Sequence, residues 1–158
     1  MSLEIRRVVT GHDENGKSVV LIDEISKTVM ARRPGMESTV IWATDQPIPD
    51  LGRDRDIAAE VKGTTVPGGS VCRIARMEPG VAPRIHRTES IDYAIVLAGE
   101  LDMELDDRTV HLKPGDVVVQ RGTVHNWVNR GTEPVLIAFI LISARLPAPG
   151  GTPAEAFG

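Results

Sequence analysis

GVAPRIHRTESIDYAIVLAG, residues 80–99, decides how this chain is read. Pro79-Gly80 and Pro83 interrupt it at the start, Gly99 closes it, and Ile91–Leu97 between them is rich in apolar and β-branched residues. That is the length and make-up of a strand set between turns. Within the stretch His86, Thr88 and Asp92 fall at i, i+2 and i+6. Residues two apart in extended chain point to the same side, so Thr88 is expected to share a face with His86.

The same rhythm continues outward in both directions. VCRIARM (71–77) reads as a strand, LDMEL (101–105) alternates apolar and acidic residues, and Asp106-Asp107 turns into TVHLK. Pro114-Gly115 and Arg121-Gly122 bound DVVVQ, VHNWVN follows, and VLIAFILI (135–142) is a continuous apolar strand that has to be buried. Short strands punctuated by Gly and Pro at this spacing predict an all-β sandwich or barrel. Nearer the start, two apolar-rich runs flank Asn15-Gly16, a hairpin signal. STVIWAT predicts a further strand, and residues 45–70 predict an arm or lid with at most a turn or two of helix around RDIAAEVK. The expected organisation is an N-terminal β-hairpin extension and lid over 1–70, a barrel over 71–145 and a flexible tail over 146–158.

Composition sets limits on function. The chain has 158 residues, 41% hydrophobic and only 3% aromatic, which suits one domain with an aliphatic core. Its formal charge is −4 and no Lys/Arg cluster stands out, which argues against a nucleic-acid partner. The longest apolar run is far too short for a membrane helix, so no membrane partner is expected and a cytoplasmic setting is the default. Cys72 has no second cysteine to pair with and reads as a small buried hydrophobe.

Gly80-x5-His86-x-Thr88-x3-Asp92-x6-Gly99 resembles the first motif of the cupin superfamily, G-x5-H-x-H-x3,4-E-x6-G. Gly115 through Gln120, Gly122, His125 and Asn129 resembles the second, G-x5-P-x-G-x2-H-x3-N, with Gln120 at the proline position and the first gap one residue short. The separation of the two motifs is similar to that of small bacterial single-domain cupins. The resemblance implies a double-stranded β-helix, or jelly-roll barrel, with an N-terminal β extension, and it implies a homodimer.

It also implies a site inside the barrel. Carried over residue by residue, His86 and His125 match two metal ligands, Asp92 stands in for the glutamate, and Thr88 stands where the second histidine belongs. His86, Asp92 and His125 are therefore the expected ligands of a divalent metal, Fe, Mn, Ni or Zn, as a two-His, one-carboxylate set. Asp92 is also a candidate general base, with His125 or His86 as acid. Thr88, Trp127 beside His125, and Arg84 are expected to contact substrate, although Arg76, Arg84 and Arg87 read more simply as solvated charges. His111 is expected on the outer face and Tyr93 opposite Asp92.

Two functions remain open at this point. One is a metal-dependent enzyme of oxygenase, isomerase, dehydratase or decarboxylase type acting on a small carbonyl or aromatic compound. The other is a metal-free cupin that binds a small ligand, with Thr88 and Asp92 serving only to hydrogen-bond the histidines.

Overall fold

The computed structural model describes residues 3–53, 55–148 and 154–158, and in these the chain is all-β apart from one 3-10 turn, Ala58–Glu60. Strand β1 (Arg6–His12) pairs with β2 (Ser18–Ile25) across the Asn15-Gly16 turn as a separate two-stranded sheet. The other nine strands in the described residues are β3 (Val29–Arg33), β4 (Met36–Thr44), β5 (Ser70–Met77), β6 (Ser90–Ala98), β7 (Leu101–Glu104), β8 (Thr109–Leu112), β9 (Val117–Arg121), β10 (Asn126–Val128) and β11 (Val135–Ser143). They form a six-stranded antiparallel sheet in the order β3-β4-β5-β11-β6-β9 and a three-stranded sheet in the order β10-β7-β8. This is the double-stranded β-helix that the motifs imply.

The period of two in each strand decides what lies inside. Along β5 the buried positions are Val71, Arg73, Ala75 and Met77, and along β6 they are Ser90, Asp92, Ala94 and Val96. β11 lies between these two strands and turns Val135, Ile137, Phe139 and Leu141 to the same interior. Met77, Leu101 and Ile137 are among the fully buried side chains. Each is worth roughly 1.5–3 kcal/mol of transfer from water. Gly99 turns β6 into β7 with φ 73°, and a Cβ there would meet the Pro134 carbonyl oxygen at 2.6 Å. Only glycine accommodates both the left-handed backbone and that approach.

Two expectations for the N-terminal segment need refining. The strand expected near Trp42 is β4, but it forms a hairpin with β3, for which the sequence pattern gives no warning. Both strands extend the six-stranded sheet through β4–β5 pairing, Val40 opposite Arg73. Residues before 71 thus build one end of the largest sheet. Arg7 ties the β1–β2 hairpin down: it is buried, and its guanidinium donates to Glu24, to Asp56 and to the Ile41 carbonyl. Part of the tail expected over 146–158 falls at 149–153, outside the described residues. Beyond it, Phe157 and Arg87 exchange backbone hydrogen bonds of 3.0 and 3.1 Å. No helix in the described residues is long and apolar enough to cross a membrane.

Candidate functional site

A cavity of about 250 Å³ lies inside the barrel and is lined from both sheets. Its apolar wall includes Met30, Met36, Met77, Trp127, Phe139 and Leu141, and its polar residues are Ser38, Thr64, His86, Thr88, Asp92, His125 and four arginines. Each of the five expected site positions Thr88, Trp127, Arg84, Asp92 and His125 lines it, as does His86.

His86 precedes β6 and His125 precedes β10, and the two residues form an isolated antiparallel bridge with reciprocal N–H···O bonds of 3.0 Å. That pairing sets the ring centroids 4.2 Å apart, tilted by 51°. The Nδ1–H of His86 donates to the Arg84 carbonyl and that of His125 to the Thr123 carbonyl, both at 2.9 Å. A carbonyl can only accept, so each ring carries its proton on Nδ1 and offers Nε2 as a lone pair. Burial pushes both rings toward the neutral form, and the neighbouring His125 adds to this for His86, which falls from 6.5 to about 4.

Asp92 projects from the interior face of β6 and is buried. Ser90 donates to its Oδ1, and Ser90 Oγ lies 2.9 Å from Thr88 Oγ1. Burial pushes the Asp92 carboxyl upward, while the Ser90 and Thr88 hydroxyls hold part of that shift back. Burial thus favours the uncharged form of all three groups, the imidazoles without a second proton and the Asp92 carboxyl toward its acid form.

In the described residues no three His, Cys, Asp or Glu side chains come together as a group that could hold a metal ion. The two Nε2 atoms suit a borderline divalent ion by type, and the Asp92 carboxyl accepts from Ser90 at Oδ1.

Trp127 stands edge-on to His125 at 5.5 Å and edge-on to Phe139 at 5.5 Å, as expected from its place two residues after His125. The motif residue Asn129 has a structural role: its Nδ2 donates to the Met77 and Glu133 carbonyls, tying the end of β5 to the β10–β11 turn. His111 is on the outside as expected, hydrogen-bonded to Asp102 and Glu100, whose carboxylates raise its pKa. Tyr93 is likewise exposed on the face opposite Asp92. Burial pushes the Cys72 thiol up, away from nucleophilic use.

The reading of Arg84 as a solvated charge is corrected, because its side chain lines the cavity. Arg32, Arg33 and Arg73 also line it and were missed. Arg73 shares the interior face of β5 with Val71, Ala75 and Met77, but the other face sets Arg76 beside Cys72 and Ile74, so alternation by itself does not single Arg73 out.

Comparison with known proteins agrees with the geometry. Residues 73–142 match the cupin domain family. The chain is 36% identical over 147 residues to the "Cupin-domain-containing oxidoreductase fogC" of Aspergillus ruber, covering 86% of this chain and 71% of that protein. It is 41% identical over 134 residues to the "Phomopsin biosynthesis cluster protein C'" of Diaporthe leptostromiformis, covering 78% of this chain and 70% of that one. These relatives are fungal, where the motif spacing resembled bacterial cupins. A solved protein with a double-stranded β-helix domain from Klebsiella pneumoniae superposes with a TM-score of 0.52 at 20% identity, over 75% of this chain and 85% of that chain, a likeness of fold. From the fold, the paired motif histidines and these relatives together, the chain belongs to the cupin superfamily.

Proposed function

We propose that the chain is an enzyme that transfers protons on a small carbonyl or aromatic compound held in the barrel cavity. The observation that carries this reading is the His86–His125 pair, in which both Nδ1 atoms are committed to backbone carbonyls and both Nε2 atoms are left as neutral bases. Burial among Trp127, Phe139 and Leu141 limits water around them and favours a flat apolar substrate. One Nε2 removes the proton next to the carbonyl, and the Asp92 carboxyl, whose acid form burial favours, donates to the carbonyl oxygen as the enol forms. Delivery of the imidazolium proton to another carbon, with the enol proton returning to Asp92, isomerises the substrate, whereas its delivery to a β-hydroxyl releases water and dehydrates it. The oxidoreductase name of the Aspergillus ruber relative supports the enzymatic reading, and the Diaporthe relative's name places that protein in a biosynthesis cluster.

The deciding experiment incubates the protein in heavy water with a panel of enolisable aryl ketones and aldehydes and follows deuterium uptake by proton NMR. Uptake with the native chain and none with His125→Gln is expected. Ligands that raise the melting temperature without any exchange would favour the binding-protein alternative.

A divalent metal on His86 and His125 is the second reading, favoured by the same two Nε2 atoms. When bound, such an ion would supply Lewis-acid or redox chemistry at the carbonyl. Elemental analysis of native protein beside Thr88→His tests it. Stoichiometric metal in the native chain supports it, whereas metal only in Thr88→His shows that a third imidazole is required. We also propose a homodimer, because Val117 and Val119 on the edge strand β9, with Tyr93 and Leu97 on β6, leave apolar side chains exposed. Light scattering at micromolar concentration should give twice the chain mass.

A further inference from the structure

The arginines of the cavity are not arranged as a protein normally arranges buried charge. Arg73 is only 7% exposed, yet its Nε has no hydrogen-bond partner, and among the described residues its side chain bonds only from Nη2 to the Gly63 carbonyl, at 2.9 Å. Arg32 donates to the Lys62 carbonyl at 2.5 Å and reaches the same Gly63 carbonyl at 3.3 Å, so the two guanidiniums share a backbone partner. Arg33 donates to the Ala82 carbonyl and Arg84 to the Gly158 backbone oxygen. Among the described residues none of the four is in an ion pair, although the chain as a whole carries a net charge of −4. Asp92 is the only acidic residue among the described residues that line the cavity, and it projects from β6, two strands away from β5.

The neutral Gly63 carbonyl cannot balance the charge of Arg73, and a buried guanidinium without a counter-ion is costly to hold. We propose that Arg73, with Arg32, Arg33 and Arg84, binds the carboxylate of a small, otherwise apolar substrate. This deepens the reading above, on which it rests for the identity of the active cavity. A planar guanidinium fork matches a carboxylate in two hydrogen bonds, and the buried Nε–H of Arg73 is left without a partner. The methionine, Trp127 and Phe139 walls leave little polar lining for a sugar-like body, which favours a carboxylic acid over a phosphate ester. The crowding of like charges agrees with this: burial, with Arg32 and Arg84 nearby, brings Arg73 down to about 10, and a bound anion would relieve it.

Calorimetry and melting temperature with benzoate, its uncharged match benzamide, and inorganic phosphate test the proposal on the full chain. Benzoate should bind and stabilise, with benzamide and phosphate at least about tenfold weaker. Arg73→Met should abolish benzoate binding and also raise the melting temperature of the ligand-free protein, because it removes an uncompensated buried charge. A lower melting temperature in Arg73→Met, or a variant that does not fold, would make Arg73 a structural residue and overturn its assignment. Arg32→Gln, at an exposed position, should then still weaken benzoate, and unchanged affinity there would overturn the cluster as a whole. Equal binding of benzamide overturns the need for charge, and tighter binding of phosphate overturns the carboxylate. Benzoate binding through Arg73 in a protein that catalyses no exchange would leave this assignment standing and remove the enzymatic reading. Exchange lost in His125→Gln without any benzoate binding would do the reverse.

Discussion

His86 and His125 are backbone partners as well as neighbours: two hydrogen bonds of 3.0 Å lock their main chains together, and the rings follow at 4.2 Å. Because the main chain positions the rings, replacing one side chain leaves the bridge intact. His125→Gln should therefore lose at least about a hundredfold in turnover with little change in melting temperature. Kinetics and a thermal melt on the same preparation check it. A large loss of stability would mean that the ring is chiefly a packing element.

The histidines also set a pH dependence. Unfolded, each imidazole returns to about its ordinary value of 6.5 and takes up a proton as the pH falls below it, whereas folded His86 resists until about 4. The unfolded chain binds more protons across that interval, so stability present above pH 6.5 is lost on the way down to about 4. His125 is lowered as well and acts in the same direction. Asp92 opposes them, since its raised pKa favours the folded form at low pH and that contribution is lost as the pH rises through it. The melting temperature should fall by several degrees between about pH 7 and about pH 5, and His86→Gln should flatten the slope.

Asp92→Asn probes the carboxyl without removing its shape. An amide oxygen can still accept from Ser90, so stability should change by less than about 1 kcal/mol. Exchange activity should fall about a hundredfold, because an amide cannot give up a proton to the substrate oxygen. Comparison of kcat with KM separates the two roles: a change in KM alone would make Asp92 a binding group.

Gly99 gives a purely structural prediction. A side chain there meets both a φ of 73° and the Pro134 oxygen at 2.6 Å. Gly99→Ala should therefore cost at least about 2 kcal/mol in a denaturant titration. Gly80 also has a positive φ, 71°, but no atom lies within 4 Å of where its Cβ would sit, so Gly80→Ala should cost less.

Much of this was legible in the sequence where local pattern and tertiary demand agree. The strands from β5 to β11, the turn at Gly99 and the shared face of His125 and Trp127 all follow from period-two alternation and turn residues. β3 escaped notice because MARRPGME carries three charges and a Pro-Gly turn in a short space, which reads as loop. Arg73 escaped because VCRIARM puts an arginine on each face, and alternation alone does not say which face is the interior. The carboxyl of Asp92 matched a motif position by spacing, while its engagement with Ser90 depends on a hydroxyl outside the motif.

The cavity wall provided by β3, β4 and the Gly63–Thr64 loop lies wholly outside residues 73–142, the part of the chain that matches the cupin domain family. The paired histidines sit within that shared part, but Met30, Arg32, Arg33 and Met36 do not. On the proposed reading, part of the substrate contact lies on a stretch separate from the histidines while Arg73 and Arg84 stay within the shared part, so substitutions in the leading stretch should retune what is accepted with little effect on the reaction. Related proteins that keep the barrel and exchange the leading hairpin would inherit the reaction and acquire a new clientele.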